Sequence, residues 1–91
     1  MDFEREARIL EGAVVKWGRV AQTVKAIEEF SELSAALAKL LNSNTGENFE
    51  AMKYEMADAS IMLNQLALIY GDCNEEEIVK LERLERLVQD D

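Results

Sequence analysis

Apolar residues recur along this chain at intervals of three and four, the spacing that lines one side of a helix. Between 27 and 41 the series is Phe30, Leu33, Leu37, Leu40 and Leu41; between 52 and 70 it is Met52, Met56, Ala59, Leu63, Leu66 and Tyr70. The pattern breaks at Gly12 and Gly18, at "NSNTGEN" over 42–48 and at "YGDCN" over 70–74, all rich in turn-forming residues. Four helices are predicted, over 2–16, 19–42, 48–70 and 75–89, the first two readable as one bent helix. Asn74 before Glu75, Glu76 and Glu77 is the predicted cap of the last, with acidic residues where the helix dipole favours them.

At about 100° per residue, the third helix carries a second apolar stripe of Tyr54, Ile61 and Leu68. Glu55 and Asp58 fall between the two stripes, on an arc shared with Met62, Gln65 and Ile69, while Lys53, Ser60 and Asn64 take the solvent-like arc. A helix apolar around most of its girth is buried on more than one side. In so short a chain, that predicts neighbours from a second subunit. On the second helix, Phe30, Leu33, Leu37, Leu40 and Leu41 form the expected core face, and Glu28, Glu29 and Glu32 occupy an adjoining arc with Gln22, Lys25 and Lys39.

Composition sharpens the picture. The 91 residues include no proline and four glycines, consistent with a single all-α domain over 1–91, and a lone chain of this size has little core to stabilise it. A formal charge of -9 argues against nucleic-acid backbones and anionic membrane surfaces as partners and leaves cations as natural ligands. With no histidine and one cysteine, Cys73, neither a zinc site nor an intrachain disulfide is expected. Charges scattered through the first thirty residues predict neither a secretory leader nor a membrane span, and hence a cytoplasmic protein.

Ionised carboxylates between apolar stripes need compensation, and Lys25 and Lys39 are too few to provide it. A hard divalent cation compensates them: Mg²⁺, with Mn²⁺ as a substitute, takes oxygen ligands and shares its remaining positions with water and substrate phosphates. The pairs Glu29 with Glu32 and Glu55 with Asp58 supply such oxygens from two helices. A lone ExxE on a helix is ordinarily solvated surface, so it is the second pair, set between apolar stripes, that carries the argument.

Together "IEEFSEL" over 27–33 and "YEMADASIML" over 54–63 resemble the EExxE and ExxD signature of the MazG-like all-α nucleoside triphosphate pyrophosphohydrolases, relatives of the dimeric dUTPases, across roughly 17–86. The resemblance implies a four-helix bundle completed by dimerisation, as a dimer or a dimer of dimers. It also implies Mg²⁺-dependent hydrolysis of nucleoside or deoxynucleoside triphosphates to monophosphate and pyrophosphate. Glu29, Glu32, Glu55 and Asp58 would then hold the metal, Glu28 would orient water or widen the metal site, and Lys25 would meet the triphosphate. "KLERLERL" over 80–87 resembles the family's basic C-terminal segment, making Lys80 and Arg83, and less directly Arg86, candidates for phosphate binding; the asparagine common there is missing.

Other readings stay open at several positions. Lys25 is equally readable as a surface ion-pair partner of Glu28 and Glu29. Trp17 and Gln22 could stack on and hydrogen-bond a base, as could Asn64 and Gln65, but Trp17 also suits packing or an interface. Tyr54, Met52, Met56 and Met62 are read as core. The rival for the whole chain is a non-catalytic acidic helical module for dimerisation or interaction. A redox di-metal bundle is disfavoured by the absence of histidine.

Overall fold

A computed structural model describes residues 1–90, which are helical except at the ends and three short connections. Helix α1 spans Phe3–Trp17, α2 Arg19–Asn42, α3 Gly46–Tyr70 and α4 Asn74–Gln89. The predicted bounds hold to within two residues. Gly12 does not interrupt α1.

Local chemistry starts and stops each helix. The Asp2 carboxylate accepts from the Arg5 amide at 2.8 Å, and Glu4 and Glu6 lie in the first turn of α1. Gly18 separates α1 from α2 at φ 89°, a backbone region that residues with a Cβ rarely enter. The Thr45 hydroxyl caps α3 by accepting from the Asn48 amide, while the Asn48 side chain donates to the Ser43 carbonyl at 2.8 Å, so the α2–α3 connection is tied at both ends. One expectation is corrected at α4: Asn74 is its first helical residue, Cys73 takes the cap position without a side-chain bond to the helix backbone, and Asp72 accepts the Asn74 amide at 3.2 Å.

The short connection makes α2 and α3 an antiparallel hairpin, and their seam is regular. From α2 it takes Gln22, Ala26, Glu29, Leu33, Ala36 and Leu40; from α3 it takes Met52, Glu55, Ala59, Met62, Leu66 and Ile69, each wholly or partly buried. Both series step alternately by three and four, the period of a coiled-coil seam, with alanines letting the backbones approach closely. This corrects the expected core faces. Leu37 and Leu41 on α2 stay exposed, as do Met56, Leu63 and Tyr70 on α3, because the seam runs along the arc that carries the carboxylates. The apolar stripes flank it.

Helix α1 lies across the hairpin through buried Leu10, with Asn64 donating to Glu6 at 3.4 Å. At the hairpin's open end Arg19 donates to the Ile69 carbonyl at 3.2 Å, and the Thr23 and Tyr70 hydroxyls share a hydrogen bond of 2.7 Å. Among the described residues α4 packs on none of the other helices and buries no side chain. No helix is long and apolar enough to cross a membrane.

Candidate functional site

The coiled-coil period forces two carboxylates into the hairpin's interior, and it does so at one level. Glu29 is 6% exposed and Glu55 partly buried; with Glu32, one turn beyond Glu29, they bring one carboxylate oxygen each to within 4.8 Å of one another. The Oε2 atoms of Glu29 and Glu55 are buried without any hydrogen-bond donor. An unpartnered buried carboxylate oxygen carries a large desolvation cost. Three converging carboxylates, two of which hold a buried oxygen without a partner, fit a hard, oxygen-seeking divalent cation.

The local charges register the crowding. Glu32 titrates above its ordinary range, raised first by the charge of Glu29, then by burial and by Glu55, and only slightly offset by Lys25. Lys25 donates to Glu29 at 2.9 Å across one turn of α2, and this bond holds its ammonium above the usual lysine value. One ammonium against three carboxylates leaves a net negative centre.

Lys25 also opens onto a second feature. A cavity of about 440 Å³ lies between α1, α2 and α3, lined by Leu10, Trp17, Gln22, Lys25, Met62 and Gln65 among others. Trp17 supplies an aromatic wall, its ring under the Lys16 ammonium at 5.2 Å. Within the adjoining seam the Gln65 amide nitrogen donates to the Gln22 side-chain oxygen at 2.6 Å. Gln65 is 1% exposed, and its own oxygen has no partner. It is an open, largely apolar cleft with a few convergent polar groups, the mix of surfaces that small-molecule sites use.

Of the residues singled out in the sequence, the fold gathers Glu29, Glu32 and Glu55 at one point and Trp17, Gln22 and Lys25 around the neighbouring cavity. It does not gather the rest. Asp58, one turn past Glu55, is exposed and outside the group of three, and Glu28 is exposed on α2. Lys80, Arg83 and Arg86 ride on α4, away from both features within this chain. Asn64 faces α1, and Tyr54 and Met56, read as core, are exposed, whereas Met52 and Met62 are buried. The buried Gln22–Gln65 pair was not anticipated, although Gln22 sits in register with the three-and-four period that also selects Glu29, and Gln65 lies beside Leu66 of the α3 series.

Comparison with protein-family models, with curated proteins and with solved structures gives no match.

Proposed function

We propose that this chain is a divalent-cation-dependent nucleoside triphosphate pyrophosphohydrolase of the MazG-like kind, acting on nucleoside or deoxynucleoside triphosphates. The observation that carries the reading is the junction at Lys25: one side chain borders both an oxygen-only cluster suited to Mg²⁺ and an aromatic-walled cavity suited to a base. A nucleotide has the same two-part chemistry, an anionic chain at one end and a flat ring at the other.

Glu29, Glu32 and Glu55 would hold the metal, with Asp58 a turn away. When bound, the metal neutralises phosphate oxygens and makes phosphorus a better electrophile. The chain's own residues do the remainder. Trp17 and the Gln22–Gln65 pair orient the base, and Lys25 donates to the phosphate chain. Glu28, exposed one position before Glu29, would hold the attacking water and accept its proton. Water adds at the α-phosphorus as the bond to the bridging oxygen breaks; monophosphate and pyrophosphate leave, with one proton released. No covalent nucleophile is required.

The rival, an acidic interaction module, draws support from the bare face of α4. It leaves Glu29 and its orphaned oxygen buried without a use. The test is pyrophosphate release from the common NTPs and dNTPs, with Mg²⁺ and with a chelator, with Glu55→Gln as control. Metal-dependent release that the variant lacks is expected. Silence across the panel, together with a melting temperature unmoved by Mg²⁺, would refute the reading.

A further inference from the structure

The cleft between α1, α2 and α3 is walled by apolar side chains, Ile9, Leu10, Ile61 and Met62 among them. Its polar side chains are Lys25, already bonded to Glu29, the indole of Trp17, and the amides of Gln22 and Gln65. Discrimination among flat guests that stand against Trp17 therefore falls to the two amides.

Their bonding is incomplete. The Gln65 nitrogen donates to the Gln22 oxygen at 2.6 Å, and the Gln65 oxygen, in a side chain 1% exposed, is buried without a partner. An amide oxygen kept from both water and a donor is costly. One bond between two side-chain amides uses one oxygen and one nitrogen, so the pair keeps an unspent acceptor on Gln65 and an unspent donor on Gln22. The terminal amide torsion of glutamine is broad and soft, so a small rotation turns these groups toward a guest. Turned over together, the amides exchange roles: Gln22 donates to Gln65, and the unspent groups become the Gln65 nitrogen and the Gln22 oxygen. With the Gln65 oxygen unpartnered, nothing on that side holds either order in place.

In both orders the complement is a ring edge that carries an N–H beside an acceptor. Uracil has a ring N–H beside a keto oxygen; cytosine has an amino group beside a bare ring nitrogen. The two edges present donor and acceptor in opposite order, and the two amide arrangements match them in turn. We infer that Gln22 and Gln65 are the base-reading residues of this cleft, that they take keto and amino bases alike by inverting together, and that they bind poorly any ring without an N–H on that edge. That the guest is a nucleotide base rests on the proposed function; the demand for a donor beside an acceptor rests on the two amides.

Trp17 is the chain's single tryptophan and lines the cleft, so its fluorescence reports a ring seated there. The titration uses the deoxynucleoside monophosphates of uracil, cytosine and 2-pyrimidinone in chelator, where neither metal nor turnover enters. 2-Pyrimidinone is cytosine without its amino group, so it removes the donor and adds no bulk. Uracil and cytosine are expected to bind with comparable Kd, and 2-pyrimidinone about ten- to a hundredfold more weakly, the effect of one buried acceptor left unmet. In Gln22→Leu/Gln65→Leu the gap closes, because uracil and cytosine fall to the level of 2-pyrimidinone. Equal binding of all three by the wild type, a gap that survives in the double variant, or no quenching by any of them overturns the assignment. A gap between uracil and cytosine as wide as that to 2-pyrimidinone shows one fixed order and overturns the inversion. Pyrophosphate release from dUTP and dCTP with Mg²⁺ tests the function separately. Binding with the expected gap but without release removes the proposed function and leaves the edge reader; release without the gap removes the edge reader alone.

Discussion

The α2–α3 hairpin and α4 invert the usual distribution of polarity. The best-packed seam of the molecule carries Gln22, Glu29, Glu55 and Gln65, whereas the helix that buries nothing carries Ile78, Leu81, Leu84, Leu87 and Val88. Burial of apolar surface is what stabilises a fold, so a chain that places polar groups inside and leucines outside has given up stability in both places. The difference teaches that the two regions answer to different demands. The hairpin buries carboxylate and amide oxygens that lack partners, and α4 leaves an apolar face uncovered among the described residues.

The sharpest break of that contrast is at Glu55. Glu55→Gln is expected to lower pyrophosphohydrolase turnover at least about a hundredfold, since even outer-shell partners of a metal are worth ten- to a hundredfold. It should leave the melting temperature in chelator unchanged or raised, because it removes one of three mutually repelling charges. Turnover within threefold of wild type would show that Glu55 holds no metal.

Next come two truncations that separate a finished core from an uncovered face. Met62→Ala in the seam should cost about 2–5 kcal/mol by chemical denaturation, independently of protein concentration. Leu84→Ala on α4 should instead show its effect through concentration, with a midpoint that falls on dilution more steeply than the wild type's. If both behave alike, the distinction between the regions fails.

A smaller effect tests the buried amide pair. Gln65→Leu leaves the Gln22 amide without its partner and should cost about 1–3 kcal/mol, while Gln22→Leu/Gln65→Leu recovers much of that loss by removing both members. A double variant no more stable than the single would mean that the pair is solvated by some other route.

The smallest effect is on pH. Glu32 has a folded-state pKa above its ordinary value of 4.5, so the folded chain binds more protons than the unfolded one between the two values. Stability in chelator should therefore rise as pH falls from neutrality into that window, and Glu32→Gln should flatten the rise. A melting temperature that falls throughout would reverse the sign and remove repulsion by Glu29 as the cause.

The helices were legible because turn residues and helical spacing are local signals; "NSNTGEN" and "YGDCN" act on the backbone whatever packs nearby. The interior was less so. Ranking residues by apolarity places Leu37, Leu41, Met56 and Leu63 in the core, but their helices meet along a seam chosen by the period of three and four, in which Ala26, Ala36 and Ala59 allow close approach and glutamates are tolerated. Glu29, Glu32 and Glu55 were found in the sequence because their chemistry is conspicuous. Asp58 was grouped with them by its spacing from Glu55, yet the same turn that brings Glu55 inward carries Asp58 outward. Nothing in the spacing of Lys80 and Arg83 tells what they serve, and among the described residues α4 meets no other helix that would fix their place.

Lys25 stands at a crossroads, bonded to Glu29 and open to the cavity beside Trp17. On the proposed reading its ammonium is a shared resource: a cation that takes over Glu29 frees Lys25 for an anionic guest, and a guest that draws Lys25 away leaves Glu29 more receptive to a cation. Thermodynamic reciprocity makes the two enhancements equal. Metal and nucleotide would then be recruited as a couple, each arriving more readily for the presence of the other, with one flexible side chain carrying the message.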